Sequence, residues 1–444
     1  MKNLSKQIED KNIQVIGENS NETRKATKET EPATTQDPKT EKDDTLKSIQ
    51  LFKSTFGLIL EKLTDFRKQR NQKYDFDFLV ISACIAIAAG KSGYTEIWRF
   101  VNMRAEIFKK EFNIKSIPSH DTYRRFFMEI KIEELLEFLQ EFSQQLRTTP
   151  SKHIAIDGKT IRNSGKKDGA VHIISAFCCD NNTAVDHESV DKKSNEMKAI
   201  PILISRLFEE QLVGQGVVFT MDAMGTQKPI TNLISKLGGE GVFALKDNHP
   251  ILHNEVKNRL NDKENITDRY VHSQTSKGFE RTVTVEISNN LENLRNIEDF
   301  GKMAMIAKAV SEKAETSARK KNQEGKRKKG GRKKKAKDIK EERCFLVSKE
   351  MSAKELYNVI KDHWKIENNL HRNLDMLWKE DSVCIREETA AENMNIFKKI
   401  ILSMMFKITK ATKMKFKDIM ERTSVLPSWF CETFLKIANE GSLS

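Results

Sequence analysis

The chain has 444 residues, enough for two to three domains of ~150 residues and for a core that needs no disulfide or metal staples. Lys and Arg number 77 against 64 Asp and Glu, a net charge of +13, and hydrophobic residues make up 38%, so a soluble, basic chain is expected. The first residues, MKNLSKQIED, contain no apolar signal core, and the longest apolar run, 78–90, is too short to span a bilayer. Six cysteines (Cys84, Cys178, Cys179, Cys344, Cys384, Cys431) lack CxxC spacing, which argues against a zinc site or disulfide framework and for a reducing, cytoplasmic setting.

Residues 1–45 hold eight basic and ten acidic side chains and almost no large apolar ones, the composition of a disordered tail. From 46 to 148 the apolar period is helical. Leu51, Phe52, Phe56, Leu58, Ile59 and Leu63 recur at three- and four-residue steps, and 78–89, 95–101 and 130–146 predict further helices. Ser119, after Pro118, is placed to cap the helix that opens DTYRRFF. In that helix Tyr123, Arg124 and Arg125 are either DNA-backbone contacts or ordinary helix-surface residues.

After Pro150 the period shortens. HIAIDGKTI, AVHIISAFCCD and TAVDHESVD predict a three-strand meander, followed by a helix over 194–208. GVVFTMDAM and GVFALKDN predict strands on either side of the helix PITNLISKLG. Strands are also expected at 281–288 and 302–310 and in ERCFLVS, and continuous helix over 353–406. The order is that of a mixed sheet flanked by helices. Between 319 and 340 lie 13 basic and two acidic residues, nearly the whole excess of charge. Such a block repels itself, so a disordered loop is expected at 317–340, either a phosphate-binding arm or a solvated insertion.

Two acids stand out by position. Asp157 interrupts the first strand and Asp222 ends the fourth. Each alone could cap a turn or a helix. Together at strand ends they make an oxygen site for a hard divalent cation such as Mg²⁺. A third acid is expected from WKIENNLHRNLDMLWKED, where Glu367, His371 and Asp375 share a helix face at i, i+4 and i+8. On its own that trio could be a surface salt-bridge ladder. Asp375, Glu380 and Asp381 compete with Glu367 for the role. Trp364, His371 and Trp378 form an aromatic stripe beside it. HExxH, a P-loop, GxGxxG after a strand and GxSxG are all missing from the sequence.

The motifs IAIDGKTIRNS (154–164), HIISAF (172–177), KSNEMKAIP (193–201), TMDAMGTQ (220–227), ALKDN (244–248), WKIENNLHRNLDMLWKED (364–381) and REETAAEN (386–393) occur in one order. In them the chain resembles the DDE transposases of the ISAs1 family of insertion sequences, which includes the H-repeat-associated proteins. The resemblance covers about 46–410. It implies an α/β fold: an RNase H-like catalytic domain (149–412) with a mixed five-stranded sheet, preceded by a small all-helical domain (46–148) and followed by a helical tail (413–444). It further implies a metal-bound triad of Asp157, Asp222 and Glu367 that works with Mg²⁺, or Mn²⁺ as substitute, in DNA cleavage and strand transfer.

The partners implied are terminal inverted repeats and target DNA, with a dimer in the DNA complex and no membrane. Lys159, Arg162, Lys193, Lys246, Asn248, Asn368 and His371 are the expected DNA contacts around the site. The sequence departs from the family at Arg372, where Trp is usual, and at His249, where Gln is usual. His363 stands at the Arg position of the related Y-R-E-K pattern, whose Lys spacing is not kept. A repurposed DNA-binding protein and a plain metal-dependent nuclease are the competing expectations.

Overall fold

A computed structural model describes residues 60, 63–68, 72–147, 150–165, 169–190, 195–316 and 339–441. The expected tail at 1–45, nearly all of the basic block, and Lys193 lie outside the described residues.

Among the described residues five helices come first: α1 (Phe76–Ala88), α2 (Tyr94–Asn102), α3 (Ala105–Glu111), α4 (His120–Glu129) and α5 (Ile132–Gln145). Helix α1 is apolar around its circumference and buried on nearly every face, as a helix at the centre of a bundle must be. Ser119 caps α4 by accepting from the Thr122 amide at 3.3 Å. Tyr123 is core, its hydroxyl 2.8 Å from Ser82 Oγ. Arg124 and Arg125 are paired with Glu387 at 3.1 Å and Asp121 at 2.6 Å.

The chain then enters a sheet built of β1 (His153–Ile161), β2 (Val171–Cys178), β3 (Thr183–Ser189), β4 (Val218–Met221), β5 (Glu240–Leu245), β6 (Asp268–Ser276), β7 (Phe279–Ser288), β8 (Met305–Glu315) and β9 (Ile339–Val347). The strand order is β3-β2-β1-β4-β5-β9-β8-β7-β6. Only β1–β4 and β4–β5 pair in parallel. The five-stranded expectation is therefore corrected to a single nine-stranded sheet among the described residues. Its first five strands in sequence form one half, and β5 continues hydrogen bonding into an antiparallel extension through β9. Strand β6 is exposed along most of its length at the sheet edge, so it lacks the alternating apolar signal of a half-buried strand.

Helices cover both faces. On one lie α6 (Glu196–Glu209), α7 (Lys228–Lys236) and α8 (Pro250–Asn261), whose apolar side chains meet Ile154, Ile156, Ile174 and Phe219 in one core cluster. Alternation along β1 sends Ala155, Asp157 and Lys159 to the other face.

On that other face α9 (Ala353–Lys365) packs over β6 and β7 and runs through a π-helical turn, Ile366–His371, into α10 (Arg372–Trp378). The continuous helix expected over 353–406 is corrected here. It stops at Lys379, which takes a left-handed φ of 48°, and resumes as α11 (Glu388–Thr412). Helices α12 (Phe416–Val425) and α13 (Pro427–Gly441) follow. Residues from α1–α5, α10, α11 and α13 share one apolar cluster, so the first helices and the last close a common core. Trp378 is buried in it and donates from Nε1 to the Ile87 carbonyl at 2.8 Å. All six cysteines are free, and only Cys384 is exposed. No described helix is long and apolar enough to cross a membrane.

Candidate active site

The parallel pairing of β1 with β4 sets Ile156 beside Met221. The next residue on each strand is an acid, so Asp157 and Asp222 emerge side by side where β4 ends. Asp157 Oδ1 accepts from the Gly158 amide at 2.9 Å. Gly158 has a packing reason to be glycine: a Cβ there would lie 2.5 Å from Glu196 Oε1 and 3.0 Å from His172 Nε2 on the opposite face.

Asp222 opens the loop into α7. That loop is braced by the segment after β5: Asn248 Nδ2 donates to the carbonyls of Ala223 at 2.8 Å and Thr226 at 3.4 Å, and His249 Nε2 donates to Thr226 O at 2.8 Å. The His363 imidazole, 3.8 Å from Asp222 Oδ1, holds the Asp222 carboxyl below its usual range; burial opposes this, while the charges of Lys246 and Arg343 add to it. His363 is itself tied to the sheet, since its Nδ1 lies 2.9 Å from Thr220 Oγ1, which also meets His153 Nε2 at 2.8 Å. Burial pushes His153 down to about 3, so it is neutral.

Glu367 arrives from the π turn. Its carboxyl is pushed above the usual range by burial first, then by the negative charges of Asp157 and Asp222; His363 and His371 pull the other way. The three rival acids are engaged elsewhere. Asp375 meets Lys159 at 2.6 Å, Asp381 faces Arg162 at 3.6 Å, and Glu380, 2% exposed, lies 3.5 Å from the buried ammonium of Lys398. His371 brings Nε2 to 3.3 Å from Asp157 Oδ2, yet both its ring nitrogens are buried without a hydrogen-bond partner.

The seven expected DNA contacts fare differently. Lys246 is exposed and close enough to act on Asp222. Arg162 is 77% exposed. Lys159 is 11% exposed and held by acids, and the amide of Asn248 is spent on the Asp222 loop. Asn368 donates to the Trp364 carbonyl at 3.0 Å and lines a cavity, described next. His371 lies against Asp157 as above, and Lys193 is not described.

That cavity, of about 630 Å³, was not foreseen from sequence. It opens between α9 and the strands of the sheet extension, and Arg281, Arg343, Tyr357, Lys361, Trp364 and Lys365 are among its lining. The Arg343 guanidinium sits 4.8 Å from the centre of the Trp364 ring. These residues are spread over three segments, so no local motif announces them.

Three oxygen-donor carboxylates with no thiolate among them are the ligand chemistry of Mg²⁺ or Mn²⁺. Among the described residues no three His, Cys, Asp or Glu side chains are grouped closely enough to hold a metal ion as they stand.

Comparison with known proteins finds two family matches along the chain. The family described as "Transposase DDE domain" matches residues 148–404, and one described as "DDE_Tnp_1-associated" matches 58–143. The "Putative transposase YncI" of Escherichia coli O157:H7 is 32% identical over 354 residues, 77% of this chain and 85% of that protein. The "H repeat-associated putative transposase YhhI" of Escherichia coli K12 is 29% identical over 329 residues, 71% of this chain and 80% of that protein. The mixed sheet with helices on both faces fits the RNase H-like fold. The chain belongs to the DDE transposases of the H-repeat-associated type.

Proposed function

We propose that Asp157, Asp222 and Glu367 together hold the Mg²⁺, or Mn²⁺, with which this DDE transposase cleaves and transfers DNA. The observation that carries the assignment is the β1–β4 register, which puts an acid directly after the last paired residue of each strand, with the helix of Glu367 held against them by His371 at 3.3 Å from Asp157 Oδ2 and His363 at 3.8 Å from Asp222 Oδ1. In this reading the three acids, drawn from distant parts of the chain, converge on one cation. When bound, a pair of such ions acts as Lewis acid on the attacking and leaving oxygens of an in-line phosphoryl transfer.

The protein's own side chains do the rest. The β1–β4 pairing fixes two carboxylates on rigid backbone, and Asn248 with His249 holds the Asp222 loop in place. Lys246 and Arg343 bring positive charge to the Asp222 side, where a DNA phosphate would need it. Arg281, Lys361 and Lys365 extend that charge through the cavity, and Trp364 offers a ring face to a base. Terminal inverted repeats and target DNA are the substrates in this reading, with two copies of the chain in the DNA complex.

The test is a cleavage and joining assay with Mg²⁺ on the DNA flanking the gene, with wild type beside Asp157→Asn. Nicking and joined product from wild type alone are expected. If both proteins bind the ends and neither cuts, with Mn²⁺ also tried, the DNA-binding reading replaces this one. Cutting without joining would leave a plain nuclease.

A further inference from the structure

We propose that Lys159 and Asp375 form a clamp that keeps the helix carrying Glu367 in register with the strand carrying Asp157. They would be positioning residues: neither touches the reacting atoms, but both govern how tightly the site holds its metal. The proposal rests on Asp157, Asp222 and Glu367 being the metal-holding set.

The geometry is a two-rung ladder. Asp157 and Lys159 are two residues apart on β1, so they share a face about 6.6 Å apart. His371 and Asp375 are four residues apart where the π turn runs into α10, about 6 Å along a helix. The spacings match, and the rungs are observed: His371 Nε2 lies 3.3 Å from Asp157 Oδ2, and Lys159 Nζ lies 2.6 Å from Asp375 Oδ1. Strand and helix are 216 residues apart in sequence at the second rung, so only tertiary contact aligns them.

A lock is needed because of the π turn. Ile366–His371 carries one more residue per turn than an α-helix would. Reverting to α-helix would rotate Glu367 by about 100° relative to α10, the angle of one residue. Glu367 would then leave the two aspartates. Anchoring α10 below the turn opposes that rotation.

Lys159 is suited to be the fixed point. Its side chain is 11% exposed, and Glu380 and Asp381 stand 3.8 and 3.9 Å from its ammonium. Glu380 is held in turn from α11, accepting from Asn395 Nδ2 at 3.1 Å and lying 3.5 Å from Lys398 Nζ. A pair so enclosed differs from an exposed ion pair, which contributes little.

The experiment is calorimetric titration of Mn²⁺ into the metal-free full chain. It compares wild type with Asp375→Asn, Asp375→Glu, Asp157→Asn and Glu367→Gln, and end-DNA affinity is measured in chelator. Asp375→Asn should weaken Mn²⁺ binding by on the order of tenfold, the usual effect of removing a partner that orients metal ligands. Asp375→Glu should recover most of the loss, and DNA affinity in chelator should stay at the wild-type value in both. Wild-type Mn²⁺ affinity in Asp375→Asn, beside a clear loss in Asp157→Asn, would overturn the clamp alone. Strengthened DNA binding in Asp375→Asn with unchanged Mn²⁺ affinity would also overturn it, by making Lys159 a phosphate ligand that Asp375 holds back. Unchanged Mn²⁺ affinity in Asp157→Asn and Glu367→Gln would overturn the metal site itself, and the clamp with it.

Discussion

Two clusters of charge lie on the same side of β1 and treat charge in opposite ways. In the inner one, Lys398 and Glu380 face each other at 3.5 Å with 2% exposure each. Beside it Lys399 Nζ donates to Ser175 Oγ at 3.0 Å and meets His187 Nδ1 at 2.9 Å, and His187 Nε2 reaches Glu392 at 2.9 Å. Burial pushes the Lys399 ammonium down to about 8, and alternating partners keep the cluster tolerable. In the outer cluster Asp157 and Asp222 follow paired residues of adjacent strands, and burial together with their negative charges raises the carboxyl of Glu367. The inner cluster pairs its buried charges with one another, whereas Glu367 in the outer one has two aspartates of like charge nearby. That contrast is part of what the proposed metal site rests on.

The contrast can be broken from either side. The largest effect is expected from Asp157→Asn, which should cut DNA cleavage by on the order of 10³-fold or more with little change in melting temperature. A denaturation curve and a single-turnover assay on the same preparation check both halves. Next comes Glu380→Ala, which strands the buried ammonium of Lys398 and should cost about 3–5 kcal/mol of stability by urea unfolding. A loss below about 1 kcal/mol would mean that the inner cluster is not paired as described.

Asn248→Ala should have a smaller effect. It removes the bonds to Ala223 O and Thr226 O that brace the Asp222 loop. Activity should fall roughly tenfold and stability by about 1 kcal/mol, with DNA affinity in chelator unchanged. A loss of DNA affinity would instead make Asn248 the DNA contact expected from sequence.

The smallest effect concerns pH. In the folded protein Glu367 keeps its proton to a higher pH than its ordinary value of 4.5. Its contribution to stability is therefore fully present below the ordinary carboxylate range and is lost as pH rises through the raised value. In chelator, Glu367→Gln should melt on the order of 1 °C above wild type at pH 8, and the gap should close near pH 4.

The strands beside the two aspartates were legible because β1 is an apolar run interrupted by Asp157 and β4 is one that ends just before Asp222. The Ser119 cap was legible because its signal is local. Strand β6 was not, since an exposed edge strand leaves both faces polar. Helix α8 was missed because only Leu252, Val256 and Leu260 are buried in an otherwise polar segment. The sharing of roles among Glu367, Asp375, Glu380 and Asp381 could not be read from spacing, because what separates them is which cation each one meets. Lys159 looked like a phosphate ligand for the same reason: its partners lie more than 200 residues away.

The central claim is that Asp157, Asp222 and Glu367 share a cation. The most direct measurement is the melting temperature of wild type, Asp157→Asn, Asp222→Asn and Glu367→Gln, each in chelator and in Mg²⁺. Wild type should gain stability from Mg²⁺ in proportion to its occupancy. Each variant should lose most of that gain, and each should melt no lower than wild type in chelator, because one of three repelling charges has gone. Variants that melt lower in chelator yet respond to Mg²⁺ as wild type does would contradict the account.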